Sequence, residues 1–225
     1  MNEHARERTR RREQRRGRTS QKRSRPLWPW VAGGALVLVA LAYFGPIRAY
    51  DPKAAGGPAS NAASTDDPRI TLVAGAQAPD FTLSSVDGGV VRLSEQRGKT
   101  NVLLYFQEGI MCPPCWQQMR DLKRDADKLA ALNIALITIT VDPLDQLKAT
   151  VPREQIEGMI LLYDKDAAVA RSYQALFVSM HPGQRPGHTF ILVGTDGKIL
   201  WRRDFREMYV PNPMILDPVA KALGK

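Results

Sequence analysis

The sequence holds two cysteines, which stand three positions apart in the run Cys112-Pro-Pro-Cys115. Residues 102–106 before them are continuously apolar, as in a strand that is buried on both faces. After Cys115 the apolar residues recur every three or four positions, which is typical of one helix face: Trp116, Met119, Leu122, Ala126 and Leu129. A Cys-x-x-Cys pair between a strand and a helix indicates redox chemistry.

A cysteine at the start of a helix has a chemical advantage. The free backbone N–H groups and the positive end of the helix dipole stabilise an anion there, and a thiolate is the nucleophile of disulfide exchange. We therefore predict that Cys112 attacks and that Cys115, one turn further on, resolves the mixed disulfide. Pro113 and Pro114 suit the first helical turn, because no N–H is needed there and their φ of about −65° is already helical.

Three other interpretations of the cysteine pair stay open. A structural disulfide is one, although a bridge that closes so short a loop removes little chain entropy. Half of a zinc site is another, and its remaining ligands would have to come from the three histidines of the sequence, which are His4, His181 and His188. Two inert buried thiols are the third.

The net charge of +9 is concentrated at the N-terminus. Residues 1–25 contain eleven Lys and Arg and three acidic residues, a charge of +8, so the rest of the chain carries +1. A basic tail of this kind could bind nucleic acid. The apolar segment that follows it gives a better explanation, and we predict no nucleic-acid partner.

Residues 26–47 form an uncharged stretch of 22 residues, long enough to cross a hydrocarbon core of about 30 Å as a helix. The basic residues before it place the N-terminus in the cytoplasm by the positive-inside rule. Aromatic residues flank it at both ends, as in interfacial belts: Trp28, Trp30, Tyr43 and Tyr50. The alternative is a cleaved signal peptide, since residues 40–42 have the small-x-small form of a cleavage site. Both interpretations put the cysteines outside the cytoplasm.

These patterns divide the chain into four parts. Residues 1–25 are predicted to be a basic cytoplasmic tail and residues 26–47 a transmembrane anchor. Residues 48–68 have few large apolar side chains and are predicted to be a flexible linker. Residues 69–225 are long enough to form one domain with its own core.

Within this domain, strand and helix patterns alternate. Hairpins are indicated around residues 87–88 and 194–197. Further elements are predicted as a central strand over 134–141, a short strand over 159–162, and helices over 143–151, 167–173 and 213–223. This order predicts an α/β fold in which a central mixed sheet is flanked by helices.

The order of elements, with Cys-x-x-Cys opening the helix after the first central strand, resembles the thioredoxin fold. Residues 75–83, 87–94 and 190–200 are similar to the redoxin branch of that fold, which contains peroxiredoxins and membrane-tethered extracytoplasmic thiol–disulfide oxidoreductases. The resemblance covers about residues 72–223 and implies a thioredoxin-like domain with an N-terminal β-hairpin extension. It also implies that Cys112 is the attacking cysteine and Cys115 the resolving one.

The sequence departs from thioredoxins near both parts of the expected site. Met111 stands where a Trp usually precedes the first cysteine, and the loop before Cys112 is about one residue longer. A cis-proline normally lies three residues before the late strand's first aromatic residue. Counting back from Phe190 reaches Gly187, with Pro186 just before it, so Pro186 is an auxiliary candidate.

Two alternatives share this fold. A thiol peroxidase of the peroxiredoxin type would carry Pro-x-x-x-Thr-x-x-Cys, but with Cys115 as the cysteine, Glu108 and Cys112 take the Pro and Thr positions, which argues against efficient peroxidase chemistry. The other alternative is a Cu(I)-binding assembly chaperone, because copper-delivery proteins of the cytochrome-oxidase assembly type use two thiolates and a distant histidine. Their spacing is Cys-x-x-x-Cys, but Cys112, Cys115 and His188 would suit Cu(I).

Three further residues are weighed as auxiliary site residues. Glu108 could shuttle a proton to Cys115 if it is buried nearby, but a solvated loop acid is the favoured interpretation. Trp116 is favoured as packing at the rim of the site over a substrate platform. For His188, a hydrogen-bonded loop residue is favoured over a ligand or a base.

Taken with the resemblance, these patterns predict a bacterial, membrane-anchored, extracytoplasmic thiol–disulfide oxidoreductase that exchanges disulfides with protein partners. No cofactor is expected, because the cysteine pair carries the two electrons. The lipid bilayer would be contacted through residues 26–47. An oxidising compartment normally requires a membrane electron donor to keep such a pair reduced, so an integral-membrane reductase is an expected partner.

Overall fold

The computed structural model describes residues 67–225, which form a mixed sheet with helices on both faces. The predicted cytoplasmic tail, the anchor over residues 26–47 and nearly all of the linker lie outside the described residues. Within residues 67–225, no helix has both the length and the apolar character needed to cross a membrane.

The sheet has seven strands in the order β2-β1-β5-β4-β3-β6-β7. They are β1 (Thr82–Ser85), β2 (Val90–Arg92), β3 (Asn101–Phe106), β4 (Ile134–Thr140), β5 (Ile160–Tyr163), β6 (His188–Val193) and β7 (Ile199–Phe205). The β3–β4 and β4–β5 pairs are parallel, and the other four pairs are antiparallel. The mixed sheet and both hairpins predicted from the sequence are confirmed.

Within residues 67–225, five α-helices accompany the sheet, and a 3-10 helix spans Leu93–Gln96. The α-helices are α1 (Pro113–Arg124), α2 (Ala126–Ala131), α3 (Leu144–Arg153), α4 (Ala168–Ser172) and α5 (Pro213–Ala222). The apolar spacing after Cys115 predicts one continuous helix, but α1 and α2 are separated at Asp125. The carboxylate of Asp125 accepts a hydrogen bond from Asn212 at 2.6 Å and pairs with Lys128 at 2.8 Å. Such side-chain bonds compete with helix continuation.

The core consists of two apolar layers, one on each face of the sheet. Helices α1, α3 and α5 cover one face, and α4, the 3-10 helix and residues 72–81 cover the other. Because side chains alternate along a strand, β3 contributes to both layers. Leu103 and Tyr105 lie in the α1 layer, and Leu104 and Phe106 lie in the α4 layer. The strand before the cysteines is therefore buried on both faces, as predicted.

Four chain segments meet at one end of the sheet, where the strands β3, β4 and β7 finish and β6 begins. The last residue of β3, Phe106, pairs with Ile139 of β4 and with Thr189 of β6. The first residue of β6, His188, pairs with Phe205 at the end of β7. The sheet order therefore brings four segments together at this end of the strands: the loop before the cysteines, the turn after β4, residues 177–187 and residues 206–208.

Candidate functional site

Cys112 and Cys115 form a disulfide at the N-terminus of α1, with their Cα atoms 5.3 Å apart. Cys112 is the N-cap residue, and its Sγ accepts a hydrogen bond from the backbone N–H of Cys115 at 3.2 Å. Pro113 and Pro114 occupy the first turn of the helix. Once the bridge is reduced, the same N–H group and the helix dipole favour the charged form of a thiol at position 112.

The disulfide is shielded from solvent. Cys112 exposes 1% of its surface and Cys115 exposes none. Met208, from the loop after β7, forms one buried cluster with the two cysteines. A partner's sulfur can therefore reach Cys112 only after the side chains over the disulfide have moved, and the unbranched, flexible side chain of Met208 suits such a movement.

The carboxylate of Glu108 joins the loop before the cysteines to the segment before β6. It is 1% exposed. One of its oxygens accepts hydrogen bonds from Ser179 Oγ at 2.7 Å and from the backbone N–H of Met180 at 2.6 Å, and the other lies 2.6 Å from Nδ1 of His181. The favoured interpretation of Glu108 as a solvated loop acid is wrong, because residues 179–181 cover the carboxylate and supply its hydrogen-bond partners.

Asp142 and Arg185 strengthen this connection. Arg185 donates to the backbone carbonyl oxygen of Glu108 at 2.5 Å and to the Asp142 carboxylate at 2.8 Å. The other Asp142 oxygen accepts the backbone N–H of Ile110 at 2.8 Å. We call Glu108, Asp142, Arg185 and residues 179–181 the brace. Its charged hydrogen bonds hold the cysteine loop at Glu108, through residues 179–181 and Arg185, and at Ile110, through Asp142.

Gly109 lies within the brace and has a φ of +91°, a region that favours glycine. A Cβ atom at this position would lie 1.6 Å from Oδ2 of Asp142. The loop can therefore approach Asp142 closely only because residue 109 has no side chain.

His188 lies in the core. Its ring contacts Tyr105, Phe190 and Phe205, with centroid distances of 5.2, 5.1 and 5.6 Å. Neither ring nitrogen makes a hydrogen bond of good geometry to a described residue. Burial removes the imidazole from solvent and lowers the pKa of His188 to about 3, and the nearby backbone of Glu207 offsets only part of this effect. The interpretation of His188 as a hydrogen-bonded loop residue is wrong, since it is a neutral member of an aromatic cluster at the start of β6.

The alternative copper site is not assembled. Across residues 67–225, no three His, Cys, Asp or Glu side chains are grouped so that they could hold a metal ion. The set of Cys112, Cys115 and His188 is therefore not brought together, because His188 packs among aromatic rings while the two cysteines pack against Met208.

Two other candidates have clear structural positions. Trp116 is buried in the layer beneath α1, so the packing interpretation is confirmed, although it packs in the core and not at the rim. Pro186 is buried, and its peptide bond is trans, as are all peptide bonds in residues 67–225. Pro186 thus does not supply the cis-proline that the resemblance to thioredoxins suggested.

Sequence reasoning missed four parts of this site: Met208, Asp142, Arg185 and residues 179–181. None of them shows a recognisable spacing relative to the cysteines. Knowledge of the strand order could have revealed them, because residues that follow β3, β4 and β7 and residues that precede β6 must meet at the same end of these strands.

A thioredoxin-like sheet with a Cys-x-x-Cys disulfide at the N-terminus of α1 defines a thiol-based redox protein. Residues 74–202 match the model of the AhpC/TSA family. This match covers more than half of the chain, and the protein belongs to that family.

Comparisons with individual proteins agree with this assignment. A putative peroxiredoxin Bcp from Haemophilus influenzae is 32% identical over 102 residues, which are 45% of this chain and 64% of that protein. The chain thus spans less than two thirds of this relative's length. The crystal structure of peroxidoxin BcpB from Mycobacterium tuberculosis has a TM-score of 0.54 at 21% identity and covers 68% of this chain and 95% of its own. The crystal structure of a putative thiol:disulfide interchange protein DsbE from Chlorobium tepidum has a TM-score of 0.56 at 24% identity. The match covers 68% of this chain and 100% of that one. These structures share the fold.

Proposed function

We propose that this protein is a thiol–disulfide oxidoreductase that exchanges disulfides with protein partners through Cys112 and Cys115. The observation that carries the proposal is the disulfide at the N-terminus of α1, where Cys112 Sγ lies 3.2 Å from a backbone N–H group. The reduced cysteine pair holds the two electrons of one exchange and gives them up as the bridge forms, so the reaction requires no cofactor.

In the reducing direction, the Cys112 thiolate attacks one sulfur of a partner disulfide. A mixed disulfide forms as the partner's S–S bond breaks, and the other partner sulfur leaves as a thiolate that takes up a proton. Cys115 then loses its proton and attacks Cys112 Sγ, which releases the first partner sulfur and forms the Cys112–Cys115 bridge. The partner gains two electrons and two protons, and the reverse sequence oxidises a partner dithiol.

A thiol peroxidase is the second candidate, and the peroxiredoxin names of the relatives favour it. Against it stands the sequence around the cysteines. Relative to Cys115, Cys112 occupies the position of the peroxide-positioning Thr, and Glu108 occupies that of the Pro. The Glu108 carboxylate is also fully engaged by residues 179–181.

Reoxidation of the reduced protein by two substrates distinguishes these functions. Loss of free thiols is followed after mixing with either a peptide disulfide or cumene hydroperoxide. Because the Thr that positions the peroxide in peroxiredoxins is absent here, we expect the second-order rate constant for the hydroperoxide to be smaller than that for the disulfide. A hydroperoxide rate constant larger than that of the disulfide would establish the peroxidase instead.

We further propose that residues 26–47 anchor the protein in the bacterial cell membrane, with the redox domain outside the cytoplasm and an integral-membrane electron donor as a partner. The uncharged stretch and the basic residues before it support this orientation. An alkaline phosphatase fused after residue 70 should be active. An inactive phosphatase fusion together with an active cytoplasmic reporter at the same point would show the opposite orientation.

A further inference from the structure

A groove of about 340 Å³ lies beside the disulfide. Its lining combines apolar and charged residues, among them Phe177, Met180, Met208, Asp67, Arg69 and Arg206. Met208 is clustered with Cys112 and Cys115 and also lines the groove, so a single side chain connects the groove to the shielded disulfide.

One wall of the groove is fixed by the brace. Ser179 and Met180 line the groove, and both donate hydrogen bonds to the buried carboxylate of Glu108. Met180 is 57% exposed, so it presents apolar surface to a ligand while its backbone N–H is held by Glu108. A wall that is ordered before binding lowers the entropy that a ligand's association costs.

The charges of the groove leave one cation without a partner among the described residues. Arg69 binds the Asp67 carboxylate through Nη2 at 2.5 Å and Nε at 2.9 Å, and its guanidinium lies 4.6 Å from the Phe177 ring centroid. These hydrogen bonds lower the pKa of Asp67 to about 2, so this pair stays ionised and mutually neutralised. Arg206 is exposed, makes no hydrogen bond or ion pair with residues 67–225, and affects Asp67 only at longer range. The groove therefore has a surplus positive charge.

We propose that this groove binds an extended segment of a protein partner next to the cysteine that is exchanged, and that an acidic side chain of the segment pairs with Arg206. The proposal rests on the proposed exchange function. Apolar side chains of the segment would cover Phe177 and Met180, and their arrival would displace Met208 and open a path to Cys112. The apolar lining favours a peptide over a small polar ligand, and the surplus charge favours an acidic one.

Two matched peptides test the groove by fluorescence polarisation. Each carries Ser in place of its cysteine, so no covalent step occurs, and the two differ only in having Glu or Lys next to that position. The wild type should bind the Glu peptide about fivefold more tightly, the gain expected of one exposed ion pair, and salt should reduce this preference. Arg206→Glu should reverse it.

The matched control is Arg92→Glu, which makes the same charge change on an exposed residue of β2, at the opposite edge of the sheet from β7. It should keep the wild-type preference. Equal affinity for both peptides in the wild type, binding of neither peptide, or an unchanged preference in Arg206→Glu would each overturn the proposal. A misfolded variant would lose both peptides alike, so the ratio of the two affinities remains the deciding quantity.

Turnover of a small uncharged disulfide by the wild type tests the exchange function separately. Turnover without a preference for the Glu peptide would overturn the groove proposal and leave disulfide exchange intact. A preference that Arg206→Glu reverses, without turnover of any disulfide, would overturn the exchange function and support the groove as an acidic-peptide site.

Discussion

Cys112→Ser will abolish disulfide exchange, whereas Cys115→Ser will accumulate mixed disulfides with partner proteins. Cys112 is the N-cap residue of α1, where the helix favours a thiolate, and Cys115 lies one turn inside the helix with no exposed surface. Without the attacking sulfur, we expect turnover of a peptide disulfide to fall on the order of a thousandfold or more. Without the resolving sulfur, the first attack still occurs but the covalent complex cannot be released.

The measurement is non-reducing electrophoresis of cells that express each variant, together with turnover of the purified proteins. The double variant Cys112→Ser/Cys115→Ser serves as the control and should trap nothing. Equal trapping by the two single variants, or trapping by Cys112→Ser alone, would show that the roles of the cysteines are not as assigned.

Gly109→Ala will destabilise the protein by about 3 kcal/mol, because a side chain at φ +91° adds backbone strain and its Cβ would overlap Asp142. Relief of that overlap requires Asp142 to move, which weakens its bonds to Ile110 and Arg185. We expect the free energy of unfolding, measured by urea titration of the oxidised protein, to show this loss. Disulfide turnover should fall as well.

Gly98→Ala is the matched control. Gly98 also has a positive φ, of +73°, but a Cβ there would meet nothing within 4 Å. The free energy of unfolding of this variant should fall by only about 1 kcal/mol, the cost of placing a side chain on a backbone with positive φ. Similar losses for the two variants would mean that contact with Asp142 does not restrict the cysteine loop.

The fold was largely predictable because its signals are local. A continuous apolar run predicted β3, β-branched residues predicted β4, and turn residues located both hairpins. The separation of α1 from α2 was not predictable, since it involves Asn212, which lies 87 residues away from Asp125 in the chain. Apolar periodicity carries no information about such a contact.

The cysteine pair of the site was also predictable, because its spacing and its position between strand and helix are both local. The environments of Glu108 and His188 were not. Both residues are polar and lie in stretches whose sequence predicts a loop, and polar residues in loops are usually exposed. Each is buried because distant segments cover it: residues 179–181 close over Glu108, and the ends of β3 and β7 enclose His188.

The brace also bears on how the protein is made. The donors to Glu108 lie 71 to 77 residues further along the chain, after both cysteines and after β5. A chain that has emerged only through β5 therefore presents two thiols and an acidic side chain that has none of its final partners. These contacts can form only after residues 179–185 have been synthesised and the long intervening loop has closed. During synthesis, the cysteines are thus available to oxidants before the loop that carries them has its final shape.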